Sequence, residues 1–301
     1  MTVTVVKHTG SRYLVSPIPV WTPTSCVLRG KIRLKGSSTT NPIAVGDKVE
    51  VTGGVITAVH ERKNYIIRRS ANLSRQEHII AANIDCAYVV VSVALPQTPL
   101  EFIDRFLVTC EAYKIPAVIL INKIDLHQQY APEAAARLKE VYKGAGYQVL
   151  EVSALTGVGV ECLRAAICGQ VALFSGISGV GKSSLINALD SNLALRTGEL
   201  SDYHLKGKHT TTFYEMFPVA SGFVIDSPGI KGFGLVEVER EEMYHFFPEL
   251  FKAAIGCKFN PCTHTHEPGC AVLAALEQGV ISPERYDSYL KLLNEDNSKY
   301  R

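Results

Sequence analysis

The stretch Val171–Leu189, VALFSGISGVGKSSLINAL, decides the fold. It runs from an apolar, strand-like segment through Gly176-x-x-x-x-Gly181-Lys182-Ser183 into a helical pattern, the context that a phosphate-binding loop requires. Glycines let the backbone turn its N–H groups inward around phosphate oxygens, and the start of the following helix adds partial positive charge. Gly176, Ile177, Ser178, Gly179, Val180 and Gly181 are expected to wrap the phosphates, with Ser184 beside them on the helix. Lys182 would reach the β- and γ-phosphates, and the Ser183 hydroxyl would hold the Mg²⁺ that accompanies a nucleotide.

Towards the N-terminus, IDCAYVVVSVA (84–94), AVILINK (117–123) and YQVLEVSA (147–154) read as buried parallel strands, separated by the helical patterns FIDRFLVTCEAYK and APEAAARLKEVYKGAG. GVECLRAAIC supplies a further helix just before the glycine loop's strand. Strands alternating with helices of this length predict a doubly wound α/β domain with a parallel sheet, here over residues 71–235.

Ligand loops of such sheets lie at strand ends, and further strand ends carry polar motifs. Asn122-Lys123-Ile124-Asp125 follows AVILI. Guanine offers its N1–H and N2 amino group as adjacent donors that the Asp125 carboxylate can accept together, whereas adenine presents an acceptor at N1. Asn122 would meet the other edge of the base, the Lys123 stem would cover its face, and Ser153-Ala154-Leu155 would put a backbone N–H on the guanine O6. Asp226-Ser227-Pro228-Gly229 follows GFVI; Asp226 suits an outer-shell contact to Mg²⁺, and the Gly229 N–H suits the γ-phosphate. In LKGKHTTTF, Thr210, Thr211 and Thr212 are candidates to close over metal and γ-phosphate, with Thr211 the first choice. The motifs together select GTP over ATP, and a phosphate-loop kinase would leave NKID and SAL unexplained.

Their order is unusual. A GTPase of ordinary connectivity begins with the phosphate loop and ends with NKxD and SA, whereas here NKID and SAL come first and DSPG last. Circular permutation keeps such a fold intact, since compact domains with neighbouring termini tolerate it. The loop after DSPG then leads straight into the C-terminal region, which gives nucleotide state a short covalent path to it.

Residues 1–70 hold the short β-rich runs RYLVSP, SCVLRGKIRL, GDKVEVTGG and VITAVHERKNYIIRR, which predict a small β-barrel. An OB-type barrel fits, and the same cues fit an SH3-like one. This segment has 11 Lys+Arg against 3 Asp+Glu, a net of +8, and the remaining 20 basic and 26 acidic residues carry −6, so the total of +2 conceals a cationic end. Arg29, Lys31, Arg33 and Lys35 recur at period two and would share one face of a strand, a basic stripe suited to nucleic-acid phosphates.

Beyond residue 235, Cys257-x4-Cys262-x-His264-x5-Cys270 offers three thiolates and one imidazole, a closed donor set of the structural zinc type. On spacing alone His266 competes with His264. Residues 236–301 thus read as a small metal-dependent helical domain, in which Ser282 caps a helix that opens with Pro283. An apolar fraction of 47% excludes a disordered chain. No stretch approaches the roughly 20 continuous apolar residues of a membrane span, so the expectation is a cytoplasmic protein without a membrane partner; a monomer is expected as well. The other five cysteines lie mostly in apolar runs and read as reduced core thiols.

The permuted motif order, GISGVGKSSLIN, GKHTTT, the amino-terminal barrel and the Cys/His cluster resemble, over essentially the whole chain, the ribosome small-subunit-dependent GTPases of bacteria (RsgA type). The resemblance implies a cytoplasmic GTP hydrolase that acts late in maturation of the small (30S) ribosomal subunit, contacts its rRNA and is stimulated by that subunit. It also favours His264 over His266 as the fourth zinc ligand. Two departures, Ser227 where the family has threonine and Lys208 where arginine is common, alter no ligating group. The glutamine that many GTPases carry just after DxxG is absent, Ile230 and Lys231 standing there. His209 is the polar candidate to position the attacking water, and the resemblance points to the same residue. The alternative is a nucleotide-sensing RNA-binding module with incidental hydrolysis.

Overall fold

The computed structural model describes residues 1–9, 12–28, 43–69, 77–193, 214–227 and 240–295. Of the candidates above, Arg29, Lys31, Arg33, Lys35, His209, Thr210, Thr211, Thr212 and Gly229 lie outside the described residues.

The amino-terminal strands are β1 (Thr2–His8), β2 (Arg12–Ser16), β3 (Thr24–Leu28), β4 (Lys48–Thr52) and β5 (Val55–Val59). They pair in the order β1-β2-β3-β5-β4 and close through β1 with β4. β3 and β5 run parallel, the other pairs antiparallel. A closed five-strand barrel on this path is of OB type, which resolves the choice left open by the sequence cues. Alternation sends Val3, Val5, Val15, Val49 and Ile56 inward to one core. A hairpin of β6 (Tyr65–Arg69) and β7 (Glu77–Ala82) follows.

The central sheet consists of β8 (Cys86–Val91), β9 (Ala117–Ile121), β10 (Gln148–Glu151), β11 (Val171–Ser175), β12 (Glu215–Val219) and β13 (Gly222–Asp226). Its order is β10-β9-β8-β11-β13-β12, parallel except for β12. β8 is buried along its whole length, with Ala87, Val89 and Val91 in the core on one face and Cys86, Tyr88 and Val90 in the core on the other. The first face is covered by α1 (Leu100–Ala112) and α3 (Pro132–Gly144), the second by α4 (Val160–Ile167) and α5 (Lys182–Leu189). This is the expected doubly wound sheet. From β8 the sheet extends through β9 to β10 in one direction, and from β11 through β13 to β12 in the other. The switch point, where ligands bind in open α/β sheets, therefore lies between β8 and β11.

β12 also pairs with β1 at Lys7 and Glu215, so barrel and central sheet form one continuous eleven-stranded sheet. The ion pair between these two side chains is 2.7 Å long. Trp21 of the barrel packs on Phe223 of β13, ring centres 5.8 Å apart.

The C-terminal region comprises a 3-10 turn (Arg240–Phe246), α6 (Pro248–Ala254), α7 (Ala271–Glu277) and α8 (Pro283–Leu293). Ser282 caps α8 as expected, its hydroxyl accepting the Arg285 N–H at 3.3 Å. The small core here, with Phe247, Leu250, Val272 and Tyr289, takes in Val108 of α1. Between the two bodies Arg285, 1% exposed, donates to Asp104 Oδ1 of α1 at 2.6 Å and to Glu249 Oε1 of α6 at 2.6 Å. Its guanidinium lies 4.5 Å from the centre of the Phe247 ring.

Candidate nucleotide site and metal cluster

The segment from Gly176 to Gly181 joins β11 to α5 across the switch point. Gly176 has φ +155° and Gly181 φ +94°; a Cβ at either would come within 2.4 Å of Val90 O or 2.5 Å of Asn122 Nδ2. Both positions therefore require glycine on two counts, backbone conformation and close approach. Lys182 is buried and donates its Nζ to Gly176 O at 2.7 Å and Ile177 O at 3.1 Å, folded over the loop it serves. Burial pushes its pKa down, and Asp226 opposes that.

Asp226 ends β13 opposite Phe174 in β11, which sets it at the root of the loop. Burial pushes its carboxyl up, with Lys182 acting the other way. Asp226 Oδ1 and the neighbouring Ser175 Oγ are buried without hydrogen-bond partners among the described residues. Unsatisfied oxygens beside a buried lysine are costly, and a hydrated Mg²⁺ that arrives with a nucleotide would satisfy them.

The NKID segment is locked to this loop by its first two residues. Asn122 is buried and spans two loops: its Nδ2 donates to Val180 O at 2.8 Å, and its Oδ1 accepts the Ala154 N–H at 3.2 Å. The sequence reading gave Asn122 an edge of the base and gave an SAL N–H to guanine O6; in this geometry the Asn122 amide and the Ala154 N–H hold the two ligand loops together. Lys123 has φ +65°, donates to Gly179 O at 2.7 Å, and also to Leu95 O. It starts a short helix that the sequence did not announce, α2 (Ile124–Tyr130). On its first turn Asp125 Oδ1 accepts the Ser153 hydroxyl at 2.5 Å, while Ser153 Oγ accepts the Thr156 N–H at 3.1 Å. The serine thereby orients the carboxylate, whose second oxygen remains for the donors of a base.

The candidate zinc ligands meet in one place. The Sγ atoms of Cys257, Cys262 and Cys270 and a ring nitrogen of His264 lie within 4.8 Å of one another. Cys257 Sγ is 3.9 Å from Cys270 Sγ, and His264 Nδ1 is 3.5 Å and 3.4 Å from those two sulfurs. Zinc with tetrahedral angles and bonds of about 2.3 Å to sulfur and about 2.0 Å to nitrogen gives edges of about 3.8 Å and about 3.5 Å, so donor chemistry and spacing both fit. Burial pushes the Cys262 thiol up to about 12, with the neighbouring thiols adding to it; a bound cation is what would make thiolates there at neutral pH. His266 turns elsewhere, its Nδ1 within 2.8 Å of Thr265 Oγ1 on the surface, which settles the spacing ambiguity in favour of His264. The loop that presents His264, at φ +57°, is braced by Tyr286 and Tyr289, which donate to His264 O and Thr263 O at 2.7 Å each.

Comparison with known proteins falls in line with this geometry. A family model described as RsgA GTPase matches residues 59–236. A small ribosomal subunit biogenesis GTPase RsgA of Bacteroides fragilis is 50% identical over 304 residues, spanning 99% of this chain and 98% of that protein. The corresponding protein of Porphyromonas gingivalis is 48% identical over 309 residues, with the same coverage of 99% and 98%. Among solved structures, YjeQ from Thermotoga maritima superposes with a TM-score of 0.79 at 34% identity, covering 98% of this chain and 97% of its own. YloQ, described as a circularly permuted GTPase, gives 0.72 at 28% identity, covering 99% and 95%. The chain belongs to the RsgA GTPase family.

An RsgA GTPase read only by its motifs would lack one part of this site. The loop after β8, residues 92–99, carries none of the motif residues, yet it touches the phosphate loop and holds Lys123. The one available signal was its position after a buried strand next to β11, and that required knowing the strand order.

Proposed function

We propose that this chain is a GTP hydrolase that serves maturation of the small ribosomal subunit in the cytoplasm, as a monomer of three domains at residues 1–70, 71–235 and 236–301. The observation that carries the reading is the convergence of three separate segments on one switch point: the phosphate loop, the NKID segment and the SAL loop, tied by Asn122 and Lys123. Lys182 would pair with the β- and γ-phosphates, Ser183 and Thr211 would hold Mg²⁺, Asp226 would act through its water shell, and the Gly229 N–H would meet the γ-phosphate. Asp125 would accept from guanine N1–H and N2, with Ser153 fixing its orientation. His209 would position water. Zinc on Cys257, Cys262, His264 and Cys270 would fold the C-terminal domain rather than catalyse, since four protein ligands leave no open position. Arg29, Lys31, Arg33 and Lys35 would face rRNA.

This assignment is tested by steady-state GTP hydrolysis with and without purified small subunits, paired with co-sedimentation in GTP-analogue and GDP states. We expect a large stimulation and preferential retention in the GTP-analogue state. No stimulation would leave only the binding module with incidental hydrolysis, and equal retention in the two states would remove the nucleotide switch.

A further inference from the structure

His127 is the one buried histidine of the nucleotide domain among the described residues, and no motif accounts for it. Two residues beyond Asp125 on α2, it faces the opposite way, into the loop after β8. There the Val93 N–H donates to His127 Nε2 at 3.2 Å. Ser92 Oγ, which gives its own proton to Ala94 O at 2.5 Å, lies 3.0 Å from the same nitrogen. Nε2 is thus an acceptor and the ring proton sits on Nδ1, which is buried without a partner among the described residues.

The loop pinned in this way is closed on itself by Ser92 and Thr98, whose N–H groups donate to Thr98 Oγ1 at 3.0 Å and to Ser92 O at 2.8 Å. Leu95 stands at its tip with φ +51° and offers its carbonyl to Lys123 Nζ. Pro96 lies against Gly179, its Cδ 3.4 Å from where a side chain there would begin. A ring of contacts therefore runs from His127 through the loop to Lys123 and the phosphate loop, and returns along α2 to His127.

We propose that His127 is a positioning residue for the guanine nucleotide: by pinning the loop after β8 it holds the Lys123 stem over the base, and protonation of its imidazole frees that loop and weakens binding. The inference rests on the nucleotide site proposed above. A proton on Nε2 turns the nitrogen into a donor towards Ser92 Oγ and sets it against the Val93 N–H. Burial keeps the His127 pKa below the ordinary histidine value, with Asp125 and Glu151 pulling it up and Lys123 pushing it down; residues 92–98 bring no titratable side chain. The neutral ring belongs to the pinned loop, so affinity is complete above the usual histidine value of about 6.5 and is lost as the pH falls below that value and through the lowered pKa of His127.

The experiment measures binding of GDP carrying a fluorescent ribose label to the full-length protein, between about pH 7.5 and about pH 5.5, on either side of the ordinary histidine pKa. His127→Leu removes the acceptor and leaves the part-buried Val93 N–H unsatisfied, which corresponds to about a tenfold loss at the higher pH with little further change in acid. KM for GTP should rise by the same factor while kcat holds. In His127→Gln, Oε1 stands the same number of bonds from the backbone as Nε2 and cannot titrate. It should bind within about twofold of wild type and show no acid weakening. Wild-type affinity in His127→Leu, or acid weakening that persists in His127→Gln, overturns the proposal; the glutamine variant decides alone where the leucine variant does not fold. A wild-type protein that binds no labelled GDP overturns the nucleotide reading and this inference with it.

Discussion

The candidate nucleotide site and the Cys/His cluster suit charged ligands from opposite starting points. The first is drawn from loops between residue 92 and residue 226, is built largely of backbone, and rests on two cores that cover both faces of the central sheet. The second takes four side chains from Cys257 to Cys270 above one small core that borrows Val108 from α1. A site standing on cores that fold without it registers ligand loss as lost affinity. A site that supplies much of its own module's cohesion registers it as lost structure.

The largest effect should follow from removing the metal, because structural zinc sites carry apparent binding energies of about 10–16 kcal/mol that appear as folding energy. Chelation, or Cys262→Ser, should open residues 240–295 to limited proteolysis while the barrel and central sheet remain resistant. Unchanged resistance of the C-terminal region after verified loss of zinc would break the contrast between the two sites.

Next in size is Arg285→Ala. Truncating one member of a buried ion pair strands the other, at a cost of about 3–5 kcal/mol, and here Asp104 and Glu249 would both lose the same guanidinium. Two neighbouring links between the same bodies, Arg137–Glu284 and Arg105–Glu295, are partly exposed. Exposed pairs contribute about 0–1 kcal/mol, so Arg137→Ala should barely move a urea midpoint that Arg285→Ala lowers strongly. Labelled GDP should bind Arg285→Ala as it binds wild type at low denaturant. A parallel loss of GDP affinity would mean that the two regions do not stand on separate foundations.

The same division governs what could be read from the sequence. Gly181, Lys182, Asp125 and the Cys257–Cys270 ligands announced themselves because their chemistry depends on short spacings next to recognisable strands and helices. Arg285 did not, since an arginine on an amphipathic helix reads as a solvated charge, and its partner Asp104 lies 181 residues away. His127 was equally silent, its partner Val93 being 34 residues distant on a loop whose meaning comes only from the adjacency of β8 and β11. Asn122 stands out in the sequence as a base contact, while its bonds to Val180 and Ala154 do not, because those partners become neighbours only when the permuted sheet closes. Barrel topology, too, needed pairing: strand spacing fits two kinds of small barrel, and the β3–β5 parallel contact distinguishes them.

The smallest effect tests the base side of the candidate nucleotide site, where the proposed selection falls on a side chain rather than on backbone. Asp125→Asn exchanges an acceptor oxygen for an amide donor, and hydrogen bonds to charged groups contribute about 1.5–3 kcal/mol. GDP affinity should fall by roughly ten- to a hundredfold. Xanthosine diphosphate has a carbonyl where guanine has its amino group, so it should gain on the variant. The Ser153 hydroxyl, which donates to Asp125 Oδ1 at 2.5 Å, can donate equally to an asparagine carbonyl oxygen, and this turns the new amide towards the base. Ser153→Ala in the same background should therefore erode the gained xanthine preference, since a freed amide can rotate. If Asp125→Asn lowers GDP and xanthosine diphosphate affinity alike, Asp125 supports the loop rather than reading the base, and base selection belongs to another residue at this switch point.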